Sequence, residues 1–475
     1  MQAPSPPQSA AALPVLLALA LALAAAAAEP GDIAGGKGKA MKPMPKKPQR
    51  PMLKVQPGDS AACRLMWPLW KTAARSLGGG HDRQITADSC TNLHEFYTGP
   101  IVPAEALKFG FAVPRDALAY IQVYKCAGTE ILCNLRRHFG QRERWRRGRN
   151  QNPLHQMLGM SLFPLRSPLG DEEGWKGKYY HDTPEDIARA EDQGRGPRGV
   201  AFTFVRDPAA RFVSGVAEIE YYLTVGEPEE FGDMVLGSQA ARSNYEQGGI
   251  IRAAKAACRG CTHFDLKAGS EERATRMVLD LVEGRMAMHF LWRHVASQVA
   301  PINLFTRNVG PMDLIGQLES FEEGWESIEA IAGAGAILPP FNRSCRGHSY
   351  SSAESKFEPR ETMRRMIQQE RPDGAATRGS DVALALGCAV LLPDYACFGY
   401  TSVVNGSDCV AGGYAKSLAE WSATVEAVQE ELCPSVMARD LEGFAHVKAK
   451  SLEQDLGSLP MPSPAPTQRT ARHEL

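Results

Sequence analysis

The chain has 475 residues, 44% of them hydrophobic and 23% charged, which is ordinary for a globular protein. That length suits one large domain with appendages, or two or three small domains. The formal net charge is -1, so no global field draws the chain to nucleic acid or to an acidic membrane surface, and any charge-driven function must come from local clustering.

In chain order, the first feature is residues 11–28, an uninterrupted run of alanine, leucine, one valine and Pro14. Its length lies at the lower edge for a bilayer span, and its alanine-rich end before Glu29 also offers small-residue cleavage sites. Residues 1–30 therefore read as a signal peptide or a membrane anchor. No Lys or Arg precedes the run, while Lys37, Lys39, Lys42, Lys46, Lys47 and Arg50 follow it, and this tips the reading toward a cleaved signal. Residues 31–62, rich in Gly, Pro and Lys, read as a flexible stem. Order is expected from near Cys63, where Leu65, Trp67, Leu69 and Trp70 supply apolar bulk, and the folded domain spans 63–445.

Within that domain, residues 117–123 have the composition of a strand and run into a helix over 129–139. Residues 199–205 form a second apolar and aromatic strand and run into a helix over 208–223. Strands of this kind alternating with helices predict an α/β fold with a parallel sheet covered on both faces. Helical patterns recur at 271–298 and 313–333, and residues 446–475 read as a disordered Pro/Ser-rich tail.

Both strand-to-helix junctions have the chemistry of anion sites. In Tyr124-Lys125-Cys126-Ala127-Gly128-Thr129-Glu130, a turn can aim backbone N–H groups, a helix N-terminus, a lysine and a hydroxyl at one anion. In Arg206-Asp207-Pro208-Ala209-Ala210-Arg211-Phe212-Val213-Ser214, Asp207 can cap a helix that Pro208 starts. Arg206 can then present a fork of donors, with Ser214 two turns along.

Taken together, these segments resemble the PAPS-dependent sulfotransferases (PAPS is 3′-phosphoadenosine 5′-phosphosulfate), especially the Golgi-type carbohydrate enzymes of the heparan sulfate 2-O kind. Lys125 and Thr129 match the family's 5′-phosphosulfate loop. Arg206, Asp207, Pro208, Arg211 and Ser214 match every fixed position of its 3′-phosphate motif. The stretch Asp313 to Glu319 with Trp325, and Asp394-Tyr395 with Phe398-Gly399-Tyr400, resemble two later family elements in the right order, so the likeness covers roughly 115–400. Tyr124 stands where the family usually has proline, and Glu130 where it has a small hydroxyl residue.

The resemblance implies a three-layer, P-loop NTPase-like fold. It implies PAPS as co-substrate, held by Lys125, Cys126, Ala127, Gly128, Thr129, Arg206 and Ser214, and transfer to a carbohydrate hydroxyl with Lys125 stabilising the leaving phosphate and no metal required. His181 leads as general base, with His138 and Glu130 behind it; a histidine's pKa suits the task. Arg136 and Arg137 open a run of seven arginines ending at Arg149 that would suit an anionic glycan. His294 and Gln298 form a His-x-x-x-Gln pattern bordering the cleft or packed in a helix.

Two sequons, at Asn342 and Asn405, and eleven cysteines fit the secretory pathway, with several disulfides and at least one free thiol, Cys126 being the candidate. Golgi lumen or membrane is the expected location. The closing Arg472-His473-Glu474-Leu475 resembles an ER-retrieval signal. Cys258 and Cys261 with His263 read as disulfide cysteines rather than a zinc site, because a second ligand pair is missing. The expected partners are a glycan and, through residues 11–28, a membrane, and not nucleic acid. Two other classes remain open: a P-loop-type nucleotide kinase, which lacks the Walker spacing here, and an inactive glycan-binding relative.

Overall fold

The computed structural model describes residues 53–80, 84–102, 113, 117–139, 159–164, 199–225, 254–288, 291–332, 358–368 and 380–433. The apolar run at 11–28, His181, the Asn342 sequon, the arginines from Arg142 to Arg149 and the two ends of the chain lie outside them. Among the described residues, no single helix is long and apolar enough to cross a membrane.

Four strands make one sheet: β1 (Ala117–Ile121), β2 (Met160–Pro164), β3 (Val200–Val205) and β4 (Leu314–Gln317), in the order β2-β1-β3-β4. β1 and β4 both run parallel to β3, with Ala119 opposite Ala201 and Phe204 opposite Gly316. β2 joins β1 antiparallel, with Ala119 opposite Leu162. The sheet is therefore mixed, where the sequence led to a parallel one. The three strands that carry the site are parallel, and the antiparallel strand is an addition at one edge, a common pattern in doubly covered sheets.

Every residue of β1 and β3 is buried, which is why both read as continuous apolar runs. Side chains alternate between the faces. Leu118, Tyr120, Phe202 and Phe204 pack with Ile131 and Leu135 of α3 (Gly128–Phe139) and with Trp325 and Ile328. Ala119, Ile121, Ala201 and Val205 pack on the other face with Val299, Ile302, Phe305 and Phe398. Thr203, the polar exception in β3, donates its hydroxyl to the Ile121 carbonyl at 2.6 Å. Helix, sheet and helix thus form three layers.

Ahead of the sheet, α1 (Ala61–Ser76) and α2 (Ala87–Thr98) are joined by the Cys63–Cys90 disulfide. Trp70 donates to the Tyr97 hydroxyl at 2.9 Å, and that hydroxyl donates to the Val390 carbonyl at 2.9 Å. Within the segment read as stem, the Val55 N–H donates to Thr91 Oγ1 at 2.9 Å, and Ser60 caps α1.

After β3 comes α4 (Pro208–Val225), which packs tightly on the turn Trp292–His294: a Cβ added at Gly215 would overlap the His294 carbonyl. The pattern read as one helix over 271–298 is broken. α5 (Glu271–Val282) stops where Gly284 adopts φ 64, and α6 (Val299–Asn308) begins only after the turn. The pattern at 313–333 is likewise divided, β4 first and then α7 (Phe321–Ala332). Four residues are too few for periodicity to distinguish strand from helix. What makes Leu314–Gln317 a strand is the open edge of β3 beside it, where Gly316 leaves the room that the Phe204 ring fills.

The later helices are α8 (Glu358–Gln368), α9 (Asp381–Ala385) continuing as a π turn, α10 (Leu392–Phe398), α11 (Gly406–Ala411) and α12 (Leu418–Leu432). Disulfides Cys388–Cys409 and Cys397–Cys433 tie them together. The sequon residue Asn405 is exposed and caps α11, accepting from the Asp408 N–H at 2.9 Å.

Candidate functional site

The site lies where β1 and β3, adjacent and parallel, both end and both turn into helices. After β1, the chain passes through Lys125 at φ 67 and Ala127 at φ 55, two left-handed positions without glycine. Such positions cost on the order of 1–3 kcal/mol each and collect where a loop has a task beyond connection. They curl the backbone into a concave run of N–H groups that leads into α3. The first N–H groups of α3, from Gly128 on, have no carbonyl one turn back, and the ladder starts with Ile131 N–H to the Ala127 carbonyl at 3.0 Å. A Cβ at Gly128 would crowd Gln122 Nε2 at 3.0 Å, and Thr129 is exposed on the same first turn. This is the arrangement that suits an anion.

After β3, Asp207 caps α4 as expected: its carboxylate accepts the Ala210 N–H at 2.7 Å. Arg206 is half-buried and lines an open cavity of about 430 Å³ with Asp207, Ala210 and Val213 from one side and Arg360 and Arg364 of α8 from the other. That volume lies within the range of small-ligand sites. Ser214 follows two turns on from Asp207, half-buried.

The two segments are clamped together by Gln298. Gln298 accepts the Arg206 N–H at 2.8 Å and donates to the Arg206 carbonyl at 2.8 Å. Its Oε1 also accepts the Cys126 thiol at 3.1 Å, so one amide joins both loops. Gln298 is in turn fixed by Asp394, fully buried at 0% exposure, which accepts the Gln298 N–H at 2.9 Å and the Ser297 hydroxyl. Burial raises the Asp394 carboxyl above its ordinary range, against the pull of Arg211 and these donors.

Arg211, matched to the 3′-phosphate motif, is itself buried at 1% exposure. Its Nε donates to the Tyr124 carbonyl at 3.0 Å and its Nη2 to the Arg293 carbonyl at 3.3 Å, so it braces the first loop from the second. Glu319, next to β4, accepts the Asp207 N–H at 2.8 Å and the Tyr400 hydroxyl at 2.6 Å. Asp313 accepts the Ala201 N–H at 2.8 Å. The two later stretches singled out in the sequence thus reach the site through Glu319 and Asp394, while Asp313 pairs at the opposite end of β3.

The sequence reading passed over Glu218, which approaches Lys125 Nζ at 2.7 Å. Spacing on α4 was the available signal: Arg211, Ser214, Glu218 and Tyr222 recur at three or four residues and share one face. His294 is buried at 4% exposure, its Nδ1 3.0 Å from the Leu291 carbonyl and its ring 4.9 Å from that of Tyr124. Burial, and then Lys125, lower its pKa to about 4. This places His294 behind the loop, packed against Tyr124. Arg136 and Arg137 fall on the last turn of α3 with their side chains outside the described ones, and His138 likewise.

Cys126 is free and fully buried, and burial pushes its thiol up to about 12. At pH 8 it is therefore protonated, and the native protein is expected to resist iodoacetamide and to react only once unfolded, as mass spectrometry of labelled peptides will show. Stoichiometric labelling of folded protein would contradict this placement. Cys258 and Cys261 are joined as a disulfide, while His263 Nδ1 lies 2.8 Å from a buried Asp280 oxygen. Cys133 is also disulfide-bonded.

Comparison with known proteins adds one finding. The model of the sulfotransferase family matches residues 111–375, more than half of the chain. Searches of the curated proteins and of the solved structures find no match.

Proposed function

From the premise that the chain belongs to the sulfotransferase family, we propose that it transfers a sulfuryl group from PAPS to a hydroxyl of a carbohydrate in the lumen of the secretory pathway. The observation that carries this reading is the pairing of two anion-suited loops at the ends of adjacent parallel strands, held in one frame by Gln298. The residues present suit such a donor. The left-handed Lys125–Ala127 turn and the start of α3 would take its 5′ end, and Arg206 with Ser214 its 3′-phosphate. The cavity shared by Arg206, Arg360 and Arg364 has room for the nucleoside part.

When bound, PAPS supplies an activated sulfuryl group. The chain supplies the electrostatics and the proton chemistry. Lys125 neutralises charge that develops on the leaving phosphate, and the backbone N–H groups of the loop share that charge in fixed orientation. The acceptor hydroxyl must lose a proton, and we assign that task to His181. Arg136 and Arg137 are assigned to acidic groups of the acceptor. A lumenal setting is supported by the disulfides, and residues 11–28 would supply the leader or the membrane anchor.

The test is incubation with labelled PAPS and a panel of sulfated and unsulfated glycans. Label on a glycan hydroxyl is expected, and none from labelled ATP with magnesium. Transfer from ATP alone would establish a kinase instead, and glycan binding without transfer an inactive relative. His181→Ala is expected to lower transfer about a hundredfold with PAPS binding intact. Full activity in that variant would remove His181 as the base.

A further inference from the structure

Lys125 already has an anionic partner. Its ammonium lies 2.7 Å from Glu218 Oε2, with the two side chains 21% and 10% exposed, and the second Glu218 oxygen accepts the Tyr222 hydroxyl at 3.0 Å. Burial alone would raise the Glu218 carboxyl, but Lys125 and the hydrogen bonds from Lys125 and Tyr222 outweigh it and hold the group below its ordinary range. Glu218 is thus a fixed negative charge at the cation on which a donor phosphate depends.

The ion pair is not what keeps the loop in place. Arg211 holds the Tyr124 carbonyl at 3.0 Å, and the Cys126 thiol is bound to Gln298 at 3.1 Å, both independent of Glu218. What Glu218 controls is the direction of one flexible side chain and the charge seen by an incoming anion. A phosphate that takes Lys125 must draw it off Glu218 or share it, and in either case it competes with the carboxylate for the one ammonium. A singly charged anion exchanges one carboxylate-like partner for another and gains little, whereas a doubly charged phosphate gains more.

Resting on the donor site proposed above, we infer that Glu218 is a positioning residue that holds Lys125 against α4 in the empty site. It weakens donor binding and biases the loop toward strongly charged phosphates. The lysine is released only when such a group arrives, so the empty site does not expose an unpaired cation to every passing anion.

The test is calorimetric titration of 3′-phosphoadenosine 5′-phosphate into the full chain, Glu218→Gln, Lys125→Ala and the double variant. Glu218→Gln is expected to bind this probe about five- to tenfold more tightly, and in the Lys125→Ala background the same substitution is expected to change affinity less than about twofold. A purely structural role would give equal effects in the two backgrounds. Unchanged or weaker binding in Glu218→Gln, or equal tightening with and without Lys125, would overturn the inference and leave the donor site standing. No binding of the probe to the unaltered chain would overturn the donor site and this inference with it. Should Glu218→Gln fail to fold, Glu218→Asp, which keeps the charge but draws it back, is expected to tighten binding by a smaller factor, and no change would count against the inference.

Discussion

Replacing Lys125 by alanine is expected to lower sulfuryl transfer by about a thousandfold and to weaken binding of 3′-phosphoadenosine 5′-phosphate about tenfold. The loss has two parts. The developing charge on the leaving phosphate no longer meets an ammonium group, a loss confined to the reaction itself. In addition, the donor phosphate loses the ammonium that it would draw off Glu218, a contact made before reaction, which weakens ground-state binding. Lys125→Arg is not expected to restore the rate, because a planar fork at a left-handed turn presents its donors in a different geometry from a compact ammonium. Single-turnover rates with labelled PAPS, set beside calorimetric affinities, separate the two parts. Transfer within tenfold of the unaltered chain would show that Lys125 is not the leaving-group cation.

The second large effect lies away from any reacting atom. Asp394→Ala is expected to destabilise the fold by about 3–5 kcal/mol, a loss in the range seen when one partner of a buried charged network is removed. Asp394 is fully buried, receives the Gln298 N–H and the Ser297 hydroxyl, and offsets the charge of buried Arg211. Without it those donors have no acceptor, and Gln298, which holds Arg206 by two hydrogen bonds of 2.8 Å, loses its anchor. Donor affinity is therefore expected to fall along with the unfolding midpoint. Asp394→Asn keeps an acceptor oxygen and is expected to lose less. Differential scanning fluorimetry decides it: an unchanged midpoint for the alanine variant would mean that the network does not brace the site.

The two strand–turn–helix units were legible in the sequence because each is local. A continuous apolar run predicts a strand buried on both faces, and β1 and β3 are buried throughout. Asp207 followed by Pro208 predicts a capped helix start, and the Ala210 N–H bond to Asp207 is that cap. The family-like order of Asp313–Glu319 and Asp394–Tyr400 pointed to the right place, yet the role of each residue was hidden. That Glu319 accepts from Asp207 and Tyr400 is a fact about three distant segments. Gln298, joining Cys126 to Arg206, is hidden for the same reason, and so is Glu218 beside Lys125. The misread elements were short or interrupted. Leu314–Gln317 is a strand only because the β3 edge is there to pair with, and Gly284 ends a helical pattern that periodicity alone would have continued. Arg211 shows the limit of a motif match: the residue stands at its fixed position, but it is buried at 1% exposure and gives its Nε and Nη2 donors to backbone carbonyls.

The paired loops are proposed to bind one ligand with phosphates at both ends. The most direct test is calorimetric titration of 3′-phosphoadenosine 5′-phosphate into the purified chain, with adenosine 5′-monophosphate titrated in parallel. The paired site predicts saturable one-to-one binding of the bisphosphate, at least about tenfold tighter than the monophosphate that leaves Arg206 without its 3′-phosphate. Equal affinity for the two nucleotides, or no binding of either at millimolar concentration, would contradict it.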